Sequence, residues 1–544
     1  MLRTGERTGA KALVESLERA GVEVVFGYPG GNVVDIFDHL RTARFKFVLG
    51  RHEQGCTHMA DGYARATGRP GVVIVTSGPG ATNAITGLAT ANMDGVPLVL
   101  VSGQVPLSQI GTDAFQEADM TGICRAATKH SFLVKSADEI PETVAQAFYI
   151  ATHGKPGAVV IDIPKNVQEA RTSATYPERV CLRAYHPERA ATASEVGRLA
   201  KWLNEAKRPV ICAGGGVISA NAARDVFALS HRANIPVVTT LMGIGSVDEN
   251  DALALGMTGM FGSRAANAAI ASADLILALG VRFSDRVTGL KSRQYAHHAK
   301  IVHVDCDPSS IDKNVPIDLG IVADVKDLLT TVNSRVRANP RQNWVRQIAA
   351  FKRLQTYAYR PLHRAVIMPQ AVIEAIHRAS KGRAILVADV GQHQMWCAQY
   401  FRHSRPRHFL TSGGMGTMGF AIPAAIGAAI AQRNDRVIAV VGDGGAQMTA
   451  EELIVAAEDR LPIVFVIINN GRLGLVRQIQ EQEFNRHYFA TTISSPDFVK
   501  LARAYGVKGV RVTDQKLLER TISRALHAKA PCVIDVVVEP EVNV

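Results

Sequence analysis

Residues 436–474 read RVIAVVGDGGAQMTAEELIVAAEDRLPIVFVIINNGRLG. Two unbroken apolar runs, Val437 to Val441 and Ile463 to Ile468, predict buried strands, and the stretch between them has helical spacing. A strand, a crossover and a second strand make a parallel pair, and ligands bind outside the carboxyl ends of such strands. Both ends are polar here. The first offers Gly442, Asp443, Gly444 and Gly445: glycines admit a diphosphate close to the backbone, and Asp443 supplies one hard oxygen. The second offers the amide oxygen of Asn470. One carboxylate and one amide suit a Mg²⁺ ion that also holds phosphate oxygens and water. The stretch therefore predicts a magnesium diphosphate site on a parallel sheet.

Toward the N-terminus the same alternation recurs. Helical spacing over Thr8 to Ala20 is followed by strand patterns at Val22–Phe26, Phe45–Leu49, Val72–Val75 and Leu98–Val101, separated by glycine and proline turns. Glu53 follows one of these strands, in RHEQG; alone it would read as a helix N-terminal acid favoured by the dipole. Ser102 to His130 is rich in glycine and polar residues without clean periodicity, and a loop of that length is usually functional. After a Pro, Arg and Glu rich linker near 172–192, KRPVICAGGGV opens a second sheet, with Gly214, Gly215 and Gly216 after its first strand. From Met368 the first pattern returns. The fold expected is α/β, with three doubly wound parallel-sheet domains at residues 1–175, 190–340 and 365–544.

Composition narrows the function classes. A net charge of +12 would suit nucleic acid, but the basic residues are scattered without runs or aromatic interleaving, which reads as a solvated surface. The seven cysteines stand singly, arguing against disulfides or zinc and for a reducing compartment. The start has no apolar signal core, and no apolar run approaches a membrane span. The expectation is a cytoplasmic protein acting on small anionic substrates, without nucleic acid or membrane partners.

GDG, 24 residues and NN resemble the fingerprint of thiamine-diphosphate (ThDP) enzymes. Over essentially the whole chain the sequence resembles the acetohydroxyacid synthase (acetolactate synthase) large-subunit family. The resemblance implies pyrimidine-binding, FAD-binding and diphosphate-binding domains in that order, with ThDP, Mg²⁺ and FAD as cofactors. Asp443, Asn470 and the carbonyl of Arg472 would bind the metal. Glu53 would hydrogen-bond the cofactor's aminopyrimidine, and Gly30, Phe115, Gln116 and Lys165 would join it at the reacting centre, with Lys129 at the substrate entrance. Met418 would bend the cofactor, while Gln392, His393, Met415 and Met448 line its pocket. FAD would meet Gly214, Gly215, Gly262, Arg282, Phe283, Asp285, Arg286 and Val287, with Asp305 and Asp324 at its adenosine half. Catabolic acetolactate synthases lack that signature, so the likeness is to the biosynthetic type.

The activity implied is decarboxylation of pyruvate and ligation of the two-carbon unit to a second 2-keto acid, either pyruvate or 2-ketobutyrate. It also implies a homodimer or tetramer, in which Glu53 and Asp443 serve one cofactor from two subunits, and a small regulatory subunit. Four features depart from the family. Ile479 stands for a pocket-shaping Trp, Ser284 for an Asp, and Lys155 for an Arg, whose planar fork Lys cannot reproduce. The sequence stops at VEPEVNV, where the family continues with a tail over the site. Other ThDP decarboxylases, carboligases and oxidases stay open beside this reading, as does a non-catalytic nucleotide-binding homologue. A nicotinamide dehydrogenase is disfavoured, since no strand carries GxGxxG and a spaced acid.

Overall fold

The computed structural model describes residues 6–289, 295–354, 359 and 366–544. Three six-stranded sheets account for its core, and every pairing within them is parallel. Their strands lie within residues 24–164, 209–322 and 385–537. Numbered in chain order within each domain, the strands of the first and third sheets both run 2-1-3-4-6-5, whereas the central sheet runs 3-2-1-4-5-6. The latter is the strand order of dinucleotide-binding sheets, with its switch point between Pro209–Ala213 and Leu275–Leu279.

The apolar runs are continuous because both faces of each sheet are covered. In the strand Val437–Gly442, Val437, Ala439 and Val441 point into one cluster and Ile438 and Val440 into another. The first of these clusters also takes Val73 and Val75 of the strand Gly71–Val75, so the first and third sheets share a core. Between them the helix Glu53–Thr67 packs on the helix Ala421–Ala431. Glycines permit the approach: a Cβ on Gly62 would stand 2.1 Å from the Ala424 carbonyl oxygen, and one on Gly427 only 1.8 Å from that of Met59.

Strand limits differ from the sequence reading by one to three residues, since Val24–Tyr28 and Leu98–Gln104 run on through polar or glycine positions. The Ser102–His130 segment is partly ordered, with a turn at Leu107–Gln109 and a helix at Met120–Cys124 anchored by buried Met120 and Cys124. The linker after Arg171–Thr172, a strand that pairs antiparallel with Arg7–Thr8, packs Tyr176, Leu182 and Tyr185 on the first core. Such long-range pairings leave no periodicity to read.

Candidate active site

The third sheet's switch point lies between Ile385–Ala388 and Val437–Gly442. Beyond it is a small cavity of about 60 Å³, whose lining includes Gln392, His393, Met418, Gly442, Asp443, Gly444, Gly445, Asn470 and Arg472. All the lining residues belong to the third domain. Asp443 is buried, and desolvation raises its carboxyl above the ordinary range. Its Oδ2 accepts from Gly471 N–H at 2.8 Å and Ser495 Oγ at 3.0 Å, and Oδ1 from Gly444 N–H at 3.1 Å. Asn470 Oδ1 accepts from Arg472 N–H at 3.0 Å. Two polar atoms of residues lining this cavity, Gln392 Oε1 and His393 Nε2, are buried without a protein partner. Burial pulls the His393 imidazole down to about 4, so it is neutral at physiological pH. Among the described residues no three His, Cys, Asp or Glu side chains cluster as a metal cage.

The first domain gathers its candidates along the carboxyl edge of its own sheet. Gly30 follows Val24–Tyr28, Glu53 follows Lys46–Leu49, and Lys165 follows Ala158–Pro164. Gly30 is extended rather than left-handed; it is glycine because a Cβ would stand 2.5 Å from Thr76. Glu53 Oε2 accepts from Asn83 Nδ2 at 2.9 Å, and a Cβ on Gly80 would lie 3.3 Å from Oε1, so glycine leaves that oxygen open. Gln116 holds a left-handed backbone (φ 62°) directly over Gly78, and Phe115 beside it is 88% exposed.

A larger cavity of about 540 Å³ opens at the central switch point. Its lining takes Gly215, Gly216, Gly280, Arg282 to Val287, Asp305 and Cys306 from the central domain, Met93, Asp94 and Lys155 from the first, and Gln394 and Gly413 to Gly416 from the third. Gly216 and Gly280 touch backbone to backbone, since a Cβ on Gly216 would be 2.6 Å from Gly280 Cα. Arg282 Nη1 donates to Met93 carbonyl oxygen at 2.9 Å, tying the wall to the first domain. Burial pushes the Asp305 carboxyl up to about 6.

Three family models match the chain. The thiamine pyrophosphate enzyme N-terminal TPP binding domain covers residues 7–123, the central domain 196–332 and the C-terminal TPP binding domain 389–536. Similar proteins include the acetolactate synthase large subunit of Haemophilus influenzae, 44% identical over 96% of this chain and 92% of that protein. The acetolactate synthase isozyme 3 large subunit of Escherichia coli is 45% identical over the same shares. The probable acetolactate synthase large subunit of Methanocaldococcus jannaschii is 43% identical over 98% of this chain and 92% of its own. The chain belongs to the acetolactate synthase large-subunit family of thiamine pyrophosphate enzymes.

In an acetolactate synthase these two cavities suit different parts of its cofactors. The small one presents a neutral imidazole Nε2, a glycine turn and one desolvated carboxylate, a donor and ligand set suited to a diphosphate with a divalent cation. The large one is within the size range of cofactor sites and counts Gly215, Gly216, Gly280, Arg282 and Arg286 in its lining, which suits a dinucleotide diphosphate. Three residues expected around FAD do not line that cavity. Gly214 packs against Gly280, where a Cβ would be 2.0 Å from its carbonyl oxygen; Gly262 closes a turn with its N–H on the Gly259 carbonyl oxygen; Asp324 caps the helix Val325–Arg335. Met415 lines the large cavity rather than the small one, and Met448 is half exposed.

Lys129 sets its ammonium on the carbonyl oxygens of Ile150, His153 and Lys155 and on the Tyr185 hydroxyl. It closes the end of the helix Ile140–Thr152 instead of facing an entrance. Residues that the sequence reading passed over include Asn83, which orients Glu53, and Asp389. The latter is fully buried and accepts from Val390 and Gly419 N–H, fixing the turn that carries Met418. A carboxylate directly after an apolar strand, in ILVAD, was the available signal for Asp389. Nothing local marked Asn83.

Proposed function

We propose that this enzyme, a ThDP-dependent acetolactate synthase of branched-chain amino acid biosynthesis, works at a site shared by two copies of the chain. The observation that carries this is the division of the site's parts. The small cavity is walled by third-domain residues alone, while Glu53 sits on the first domain with one oxygen open. Two copies facing one another would bring the two edges together, each completing the other.

Asp443, Asn470 and the Arg472 carbonyl would hold Mg²⁺ and through it the diphosphate, with His393 Nε2 donating to a phosphate oxygen. When bound, ThDP supplies an acidic ring carbon and an electron sink for loss of CO₂ from pyruvate. Glu53 holds a proton at the pyrimidine ring, and Asn83 keeps its carboxylate turned toward that ring. Met418, against Gly444, provides the apolar support beneath the cofactor. Phe115 and Gln116, displayed on a loop pinned by Gln104 and Asp162, would meet the 2-keto acids with Gly30 and Lys165. Pyruvate is both donor and acceptor, and 2-ketobutyrate is a second acceptor.

FAD would occupy the large cavity, its diphosphate near Arg282 and Arg286 and its adenosine near Asp305, with no redox step of its own because the ligation is redox-neutral. Lys155 would meet it as a point charge. A small regulatory subunit and a cytoplasmic setting complete the reading. Among the described residues no helix is long and apolar enough to cross a membrane. The test is incubation with ThDP, Mg²⁺, FAD and pyruvate, with and without 2-ketobutyrate, quantifying acetolactate, acetohydroxybutyrate, acetaldehyde and acetate. Acetolactate that disappears in Glu53→Gln is the expected result; acetaldehyde or acetate as main product would contradict it.

A further inference from the structure

Glu452 is fully buried between the third domain and the first, at the end of the turn Ala450–Glu452, and nothing in the reaction above uses it. Its carboxylate reaches the strand-to-helix turn that delivers Glu53. Arg51 N–H lies 3.1 Å from both carboxylate oxygens, and His52 N–H donates to Oε1 at 3.0 Å. The chain makes room for it, since a Cβ on Gly55 would stand 2.0 Å from Glu452 Oε1. The His52 ring in turn accepts from Gln54 N–H at 3.1 Å as the helix cap. Free N–H donors at the start of the helix are thus taken up by its own cap and by a carboxylate from another domain, where the dipole favours an anion. Glu53 lies between these two anchors, and its side chain is fixed at the far end by Asn83.

We propose that Glu452 is a positioning residue for Glu53: it clamps the Arg51–His52 backbone so that the Glu53 carboxylate keeps its place at the edge where the pyrimidine ring binds. This rests on the reading of Glu53 given above. The groups acting on Glu452 are Arg51, His52 and Cys56 from the first domain and Glu451 on its own segment; Glu53 lies beyond Cys56 and Glu458 beyond Arg51. The adjoining helix Ala421–Ala431 brings no charge. The Arg51 guanidinium is engaged by the Leu49 and Gly50 carbonyl oxygens and by Glu458. Burial outweighs the backbone hydrogen bonds and pushes the Glu452 carboxyl up to about 7. Protonation places a hydrogen on an oxygen that must accept, so the clamp is strongest above about pH 7 and loosens below it.

The experiment compares pH profiles of acetolactate formation for wild type, Glu452→Gln, Gly55→Ala and Glu53→Gln, each reconstituted with ThDP, Mg²⁺ and FAD. Glu452→Gln should lower kcat about ten- to a hundredfold, the scale of a small misplacement, with KM for pyruvate within about twofold. It should also remove the acid limb near pH 7. Gly55→Ala should lower kcat in the same way by displacing the carboxylate, and it decides the matter by kcat and KM should Glu452→Gln fail to fold. Wild-type kcat and an unmoved acid limb in Glu452→Gln, with Glu53→Gln inactive, would overturn the proposal alone. A loss confined to KM or to thermal stability would do the same. Wild-type turnover in Glu53→Gln would overturn the reading of Glu53 and this proposal with it.

Discussion

The two cavities differ in how much of each a single chain supplies. The large cavity draws walls from all three domains and is bridged across them by Arg282 on the Met93 carbonyl oxygen. The small one is lined by the third domain alone, and Gln392 Oε1 and His393 Nε2 among its lining residues have no protein partner. The difference follows from topology. The central sheet's switch point opens toward the cleft between the other two domains. The first and third sheets instead bury one face of each in a common core. That packing uses the helices Glu53–Thr67 and Ala421–Ala431 to hold the domains together, which keeps Glu53 and Asp443 on separate sheet edges.

Substitutions can break this comparison at several points. Glu53→Gln should produce the largest effect, a loss of about 10² to 10⁴ in acetolactate turnover measured by product assay, with ThDP still bound. Asp443→Asn should instead raise the ThDP and Mg²⁺ concentrations needed for activity, read by cofactor titration. Arg286→Ala should release FAD during gel filtration, followed by its visible absorbance, while leaving ThDP affinity unchanged; loss of both together would show that the cavities are not independent. Gly427→Ala, which drives a methyl group into the Met59 carbonyl, should destabilise the chain by about 1–3 kcal/mol or more in thermal denaturation. Ile479, exposed on the helix Gly474–Glu483, sharpens the substrate side. Ile479→Trp should raise the acetohydroxybutyrate to acetolactate ratio in a two-acceptor competition.

The smallest effect expected is one of pH. Burial raises the Asp389 carboxyl to about 7 from an unfolded value near 3.8, so the folded chain holds that proton more tightly. Its contribution to stability is complete below about pH 4 and is lost as pH rises through about 7. Asp389→Asn should flatten the fall of Tm across that window.

The parallel sheets were legible because strands buried on both faces write unbroken apolar runs, and the glycine turn carrying Asp443 because it follows such a run directly. Glu53 was legible as a strand-end carboxylate only in company with the third-domain motif. Glu452 and Asn83 escaped notice because their meaning lies in partners far along the chain: Asn83 meets Glu53, 30 residues away on another helix, and Glu452 meets Arg51 and His52, some 400 residues away. Lys129 was misread for the same reason, since a lysine seated on three carbonyls is indistinguishable in sequence from one at a pocket mouth. Gly214 and Asp324 have local roles that the sequence does not mark, close packing on Gly280 and the cap of Val325–Arg335.

The shared site is the claim on which most of this account depends, and complementation tests it most directly. Glu53→Gln and Asp443→Asn variants are co-expressed with different affinity tags, and the doubly tagged species is assayed for acetolactate at ThDP and Mg²⁺ concentrations too low to activate Asp443→Asn by itself. If one site takes Glu53 from one chain and Asp443 from the other, each mixed dimer carries one intact site and one doubly substituted site. Activity should then return to about half that of wild type. Mixed dimers as inactive as the parent variants would place both residues of each site on one chain and contradict the account.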